Sequence, residues 1–421
     1  MKSKKIHKGW FILILTIINM FACLGLGRFS LGAVIPFMRE GLTLTYSEAG
    51  MIASAVFFGY LVSALGVGYL LHKFSVKQVI IFFLLVLGIG MTISSFAQSF
   101  WIAYMACLII GLGSGGANVP SLGMVSRWFS QKYRGTALGI TNSGSGLGMV
   151  FSGAIIPLLM VINPDDGWRL GWGMMTAIIM MVIVLNIIFL VDAPEQLGLS
   201  PVGASTFQQI DNSSLQDENA GSHVVYRNPT VLTLGFIYFT WGFSYLIFST
   251  FFVDYLLSDV GLAKQEAGLY FSVAGFFSII SGLIWGNISD RIGRVQTLFI
   301  IFFMQATLLI TIITFTNPVV LLFITMVYAL TLWAVPTVMV AAVGDMISPQ
   351  KLSVAIGFMT LFFGVGQWVS PMVTGIVIDY FENYTVAFSL SAAICYIGCV
   401  CCLVVYKKEK NNQRYKETIA G

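Results

Sequence analysis

Long apolar runs broken by short polar stretches dominate this chain. Apolar runs lie near residues 10–36, 48–71, 77–97, 100–126, 134–162 and 168–191, and again near 230–256, 266–288, 295–315, 318–346, 352–378 and 384–406. Each is close to the ~20 residues that an α-helix needs to cross a hydrocarbon core about 30 Å thick. Glycine is scattered through them and strict alternation is absent, which selects helices over the strands of a barrel. The pattern therefore predicts twelve transmembrane helices in two sets of six. Between the sets lies "DAPEQLGLSPVGASTFQQIDNSSLQDENAGSHVVYRNP", residues 192–229, rich in Ser, Gln, Asn and Asp and without an apolar stripe. It reads as a flexible linker. The expected organisation is a bundle over 1–191, a linker over 192–229, a second bundle over 230–406 and a tail over 407–421.

Composition supports this class. The chain is 57% hydrophobic and 10% charged, with mean hydropathy +0.88, against about 25% charged residues in soluble domains. The leader "MKSKKIHKGW" is basic, like the start of a signal peptide. The run after it is too long for an h-region and carries no small-x-small cleavage site, so a retained first helix is expected. With the amino terminus inside, 18 of the 22 Lys and Arg fall in cytoplasmic segments and three, Arg39, Arg169 and Lys264, in outer loops. That asymmetry predicts both termini and the linker on the cytoplasmic side. The net charge of +4 then has a topological cause and points to no nucleic-acid partner. All six cysteines lie in apolar runs and form neither a disulfide framework nor a metal site. No cofactor is expected.

The two sets repeat one another. "GYLLHKFSVK" (68–77) aligns with "GNISDRIGRV" (286–295) at an offset of 218 residues, and "ALGITNSGSGLGMVFS" (137–152) aligns with "AIGFMTLFFGVGQWVS" (355–370) at the same offset. Two parallel six-helix repeats are a transporter architecture, with ligand held near mid-membrane. A receptor or membrane enzyme has no need of the duplication, and an enzymatic role is not expected.

"GNISDRIGRV" resembles the loop 8–9 signature of the major facilitator superfamily, G-x-x-x-D-R-x-G-R, through Gly286, Asp290, Arg291, Gly293 and Arg294. The glycines permit a tight turn. The charged residues can cap helix ends or pair across the halves, which makes these five a conformational latch. The first-half copy is degraded, with His72, Ser75 and Val76 at three of its positions. "RWFSQKYRGTALGITNSGSGLG" (127–148), Gly9-Trp10 and "GLGRFSLGAVIPFM" resemble the bacterial oxalate/formate antiporter and monocarboxylate porter branch. The chain departs from that branch where Gly282 replaces a helix-8 arginine and where 352–378 lacks a basic interior residue, so a two-cation clamp on dicarboxylates is not expected. The resemblance implies an all-α membrane protein of the MFS fold. It further implies alternating access by a monomer, acting as symporter or exchanger on a small organic anion, with a co-transported proton as a possible partner. Proton-driven drug or metabolite efflux and a ligand-binding membrane sensor stand as alternatives.

Polar and aromatic residues inside the runs are the candidate substrate contacts: Asn19, Arg28, Asn118, Asn142, Tyr238, Trp241, Tyr245, Trp333 and Gln367. Tyr238, Trp241 and Tyr245 share one helical face. The resemblance implies that helices 1, 4, 7 and 10 line the cavity. No carboxylate stands clearly at mid-span; Asp254, Asp345 and Asp379 fall near predicted helix ends. Arg28 is the most demanding residue. An arginine at bilayer depth costs about 2.5–3.5 kcal/mol on insertion scales. Gly25, Gly27 and Gly32 thin the helix around it. An anionic substrate would supply the missing charge, whereas snorkelling to lipid phosphates would place Arg28 near the membrane edge.

Overall fold

The computed structural model describes residues 7–204, 226–347 and 351–420. Among them are twelve helices long and apolar enough to span a bilayer. They are α1 (Lys8–Gly41), α2 (Tyr46–Leu71), α3 (Val76–Ser95), α4 (Phe100–Trp128), α5 (Gln131–Ile162), α6 (Gly167–Phe189), α7 (Pro229–Ser258), α8 (Lys264–Ile292), α9 (Arg294–Thr314), α10 (Pro318–Met346), α11 (Leu352–Phe381) and α12 (Tyr384–Ala420). Apart from the linker between α6 and α7, the loops between them are short, and polar residues at several of them start the next helix. Thr45 and Glu48 form a capping box on α2, Ser75 and Gln78 form one on α3, and Asn317 caps α10 ahead of Pro318. Each satisfies amide groups that the helix itself leaves open.

Two helices are irregular, and both carry candidate site residues. In α1, α-helical segments Lys8–Met20 and Leu31–Gly41 flank a π-helical stretch, Phe21–Phe29, that contains Arg28. Such windings are rare and concentrate at functional sites. The second irregular helix, α10, breaks between Pro318–Thr331 and Ala334–Met346, with Trp333 at the break. Pro336 explains the break, because it has no N–H to bond back across that turn. Side chains take up neighbouring carbonyls: Trp285 Nε1 donates to Leu330 O at 3.0 Å, and Gln305 Nε2 donates to Thr331 O at 3.0 Å. In lipid such replacement partners are required.

By packing, the chain forms two compact units, Met1–Ile210 with Ser249–Ile279, and Asp211–Phe248 with Ile280–Gly421. The boundary differs from the six-plus-six division of the sequence because the end of α7 and the start of α8 pack with the first six helices. The expected linker makes contact with the first set of helices at its start. Phe129 and Val202 form a parallel bridge, with Val202 N donating to Trp128 O at 2.9 Å and Ser130 N to Val202 O at 3.1 Å, so its first residues are tied to the end of α4. Residues 205–225 of that linker lie outside the described residues. At the other end, α12 runs on through the expected tail as one helix.

The 218-residue repeat has a structural counterpart within each unit. A Cβ on Gly148 would stand 2.1 Å from Gly25 Cα, and one on Gly366 would stand 2.5 Å from Phe239 O and 3.0 Å from Phe243 N. Thus α5 meets α1, and α11 meets α7, backbone to backbone at equivalent positions. Small residues make this approach possible in lipid. Likewise Gly115 of α4 abuts Ser63 of α2, and at the equivalent positions Trp333 N donates to Ser281 Oγ at 3.1 Å.

Candidate functional site

In the first unit, Arg28 lies a few residues beyond the midpoint of α1 and is 5% exposed. Its guanidinium carbon sits 5.3 Å from the ring centroid of Phe29, 4.7 Å from that of Phe57 and 4.5 Å from that of Tyr60. The negative ring faces of these aromatics stabilise a buried cation. A guanidinium carries five N–H donors in a planar fork that matches a carboxylate or sulfonate. Asn118 of α4 fixes the cage, its Nδ2 donating to Tyr60 Oη at 2.6 Å. The Asn118 carboxamide oxygen is buried and accepts no hydrogen bond among the described residues.

Arg28 and Asn118 therefore both border Tyr60. Asn19 does not join them. Its amide exchanges hydrogen bonds with Asn186 of α6, at 3.0 and 2.7 Å, and both side chains are fully buried. This is an interhelical clamp of the kind that membrane bundles use, and it engages the Asn19 amide within the first set of helices. Asn142 is exposed, on the α5 face that carries Gly146 one turn later.

In the second unit, five candidates converge. Tyr238, Trp241 and Tyr245 of α7 stack in series, Tyr238 on Trp241 at 5.8 Å and Trp241 on Tyr245 at 4.5 Å between ring centroids. Phe363 of α11 lies parallel to all three, closest to Tyr238 at 4.6 Å. Trp333 meets Trp241 and Tyr245 edge-on at 6.4 and 6.1 Å. Gln367 Nε2 donates to Tyr245 Oη. The Trp241 indole N–H is buried and finds no acceptor among the described residues. The cluster is thus an aromatic wall with a few polar points, the composition usual for small-ligand sites.

The loop 8–9 motif forms a compact network. Gly293 holds φ +100°, a conformation L side chains rarely adopt, and ends α8. Arg294 pairs with Asp290 at 2.5 Å and with Asp345 of α10 at 3.1 Å, and donates to Ser289 Oγ at 2.6 Å. Arg291 is exposed, and a Cβ on Gly286 would meet Thr337 at an ordinary contact distance of 3.6 Å. The observed pairs join α8, α9 and α10, all in the second set of helices, where pairing across the halves was an alternative. In the degraded first-half copy a different device holds the turn: Lys77 N donates to Asp192 Oδ1 at 2.6 Å and Lys77 Nζ to Ile187 O at 2.7 Å.

Sequence reasoning missed Phe57, Tyr60 and Phe363. Phe57 and Tyr60 share one face of α2 by the same spacing rule that picked out Tyr238 and Trp241, and Phe363 precedes Gln367 by one turn of α11.

Comparison with known proteins bears on this arrangement. The chain is 27% identical over 401 residues to a probable sulfoacetate transporter, SauU, of Cupriavidus necator, covering 90% of this chain and 89% of that one. It is 22% identical over 382 residues to the hexuronate transporter of Bacillus subtilis, covering 88% of each. It is 28% identical over 220 residues to the oxalate:formate antiporter of Oxalobacter formigenes, covering 52% of this chain and 49% of that one. Among solved structures, a bacterial homolog of the human lysosomal transporter Spinster, in an inward-facing and occupied conformation, superposes with a TM-score of 0.75 at 14% identity over 96% of this chain and 98% of that one. That likeness shows the fold. The family profile of the Major Facilitator Superfamily matches residues 17–337 and 234–420, and with nearly the whole chain matched, this multi-pass membrane protein belongs to that superfamily of transporters.

Proposed function

We propose that this transporter carries a small organic anion across the cell membrane by alternating access, with Arg28 as its anion-binding residue and both termini cytoplasmic. The observation that carries the reading is the buried guanidinium near the middle of α1, held in an aromatic cage by Phe29, Phe57 and Tyr60. A cation buried there stabilises an anion strongly, because neighbouring water is scarce and the geometry is set in advance. Asn118 adds a polar contact beside it. Within the second unit, the aromatic wall of Tyr238, Trp241, Tyr245 and Trp333, with Gln367, has in its own right the composition of a surface that takes apolar ligand groups. The names of the relatives agree: sulfoacetate, hexuronates and oxalate are organic anions.

Every carboxylate among the described residues lies outside the twelve apolar spans or within a few residues of a span's end. The reading therefore places coupling in the cargo, as exchange of one anion for another or as a proton carried on the substrate's own acid group. The test is uptake into proteoliposomes of a panel including sulfoacetate, a hexuronate, oxalate and simple monocarboxylates. The wild type should move at least one anion, and Arg28→Ala should not move it. A substrate without negative charge, or normal transport by Arg28→Ala, would sink the proposal.

A further inference from the structure

Sequence spacing puts Arg39 in an outer loop and Asp254 near a helix end. In the structure they meet inside the first unit. Arg39 Nε lies 3.2 Å from Asp254 Oδ2, and Arg39 Nη2 donates to Oδ1 at 3.3 Å. The Asp254 side chain is 2% exposed and that of Arg39 is 17% exposed. Ser258 Oγ donates to Asp254 Oδ1 at 3.1 Å, and the Arg39 guanidinium lies 4.1 Å from the Tyr46 ring centroid. Counting crossings, the ends of α1 and α7 that carry this pair lie at the membrane face opposite the one where the chain enters α1.

The pair sits on a tight seam. A Cβ on Gly32 of α1 would stand 2.0 Å from the carbonyl oxygen of Ser249 in α7. Along α5 and α8, a Cβ on Gly146 would stand 2.7 Å from Gly275 O, and one on Gly268 would stand 2.2 Å from Gly153 O. Ser272 Oγ donates to Val150 O at 3.0 Å. Backbone-level packing of this kind holds only while the helices stay in register, and it contributes no charge. The two-point ion pair adds a directional, charged contact to this packing. Arg39 and Arg28 are eleven residues apart on α1, about three turns and hence on nearly one face. The helix that carries the proposed anion site thus also carries the cation of the pair.

We propose that Arg39–Asp254 is the bolt that closes this face of the transporter, and that it must open for solute to pass there. Breaking one partner of such a pair leaves a buried charge facing a neutral side chain, so the closed arrangement loses its advantage. The bolt stands on alternating access but not on the nature of the cargo.

The test needs no substrate. Ser249 is 3% exposed and lies in the seam. In the full-length chain with its six native cysteines replaced, Ser249→Cys reports opening through its rate of reaction with a membrane-impermeant maleimide. Asp254→Asn and Arg39→Ala should each raise that rate about tenfold or more, equivalent to about 1.4 kcal/mol. The reversed pair, Arg39→Asp with Asp254→Arg, should bring the rate back toward the parent. Single variants that label within about twofold of the parent overturn the bolt. So does a reversed pair that labels as fast as the singles while keeping the parent's melting temperature, because then the seam was loosened without regard to charge pairing.

Discussion

Gly148→Ala tests the contact on which the geometry of Arg28 rests. The new methyl carbon would stand 2.1 Å from Gly25 Cα and 2.4 Å from Gly25 C. Both are backbone atoms and cannot swing away as a flexible side chain would. Ordinary carbon contacts begin near 3.5 Å, so α1 and α5 must separate by more than about 1 Å. Overpacking of this kind costs about 1–3 kcal/mol. Alanine returns about 0.5–1 kcal/mol of helix propensity, which leaves a net loss of up to about 2.5 kcal/mol, toward the upper end because the clash is with backbone. For a body of about 150–250 residues, each kcal/mol shifts melting by roughly 2–4 °C. The matched control is Gly135→Ala on the same helix, where a Cβ meets nothing within 4 Å. It should hold or slightly raise the melting temperature. Intrinsic tryptophan fluorescence of the two purified variants during heating supplies the comparison. If Gly148→Ala melts with or above Gly135→Ala, the backbone-to-backbone packing of α1 on α5 is wrong, and with it the placement of the π-helical stretch.

Asn19→Ala should lower stability by about 0.6–1.7 kcal/mol, the range for interhelical hydrogen bonds in membranes, while ligand affinity stays at the wild-type value; a large affinity loss at unchanged stability would place Asn19 in the substrate site. Asp290→Asn should slow maximal transport while leaving ligand affinity unchanged, because Arg294 keeps Asp345 and the network stands at a helix turn; weakened binding with an unaltered maximal rate would contradict the latch role. The bolt makes a further prediction, that the Arg39 and Asp254 variants keep ligand affinity within severalfold of wild type even as Ser249→Cys becomes reactive.

Helix number and the fold were legible because lipid imposes one strong rule: about 20 apolar residues per crossing and no unsatisfied backbone. The repeat was legible because backbone contacts between helices demand small residues, and Gly148 and Gly366 recur at a fixed spacing. The aromatic cluster was partly legible, since Tyr238, Trp241 and Tyr245 share a face, but Phe363 could be placed opposite them only once α11 was set against α7. Asn19 and Asn118 look alike in sequence and differ only in their neighbours, Asn186 for one and Tyr60 for the other. The Arg39–Asp254 pair was hidden for a similar reason. The partners are 215 residues apart, and an arginine at the end of an apolar run reads equally well as a solvated loop residue. Nor does periodicity announce a π-helical turn, which shows only in the backbone hydrogen bonds of the folded chain.

The central claim is that Arg28 holds the substrate's negative charge, and its most direct test is equilibrium binding to the purified protein. The anion identified by uptake would be titrated calorimetrically into wild type, Arg28→Lys and Arg28→Ala. Truncating one member of a buried, hydrogen-bonded charge pair costs about 2–5 kcal/mol. Arg28→Ala should therefore weaken binding at least about 30-fold, at 1.4 kcal/mol per factor of ten. Arg28→Lys, which keeps the charge and loses the two-pronged geometry, should fall between. In the absence of ligand the three proteins should melt within a few degrees of one another, by about the effect of 1 kcal/mol. Equal affinity for the anion in wild type and Arg28→Ala would contradict the account.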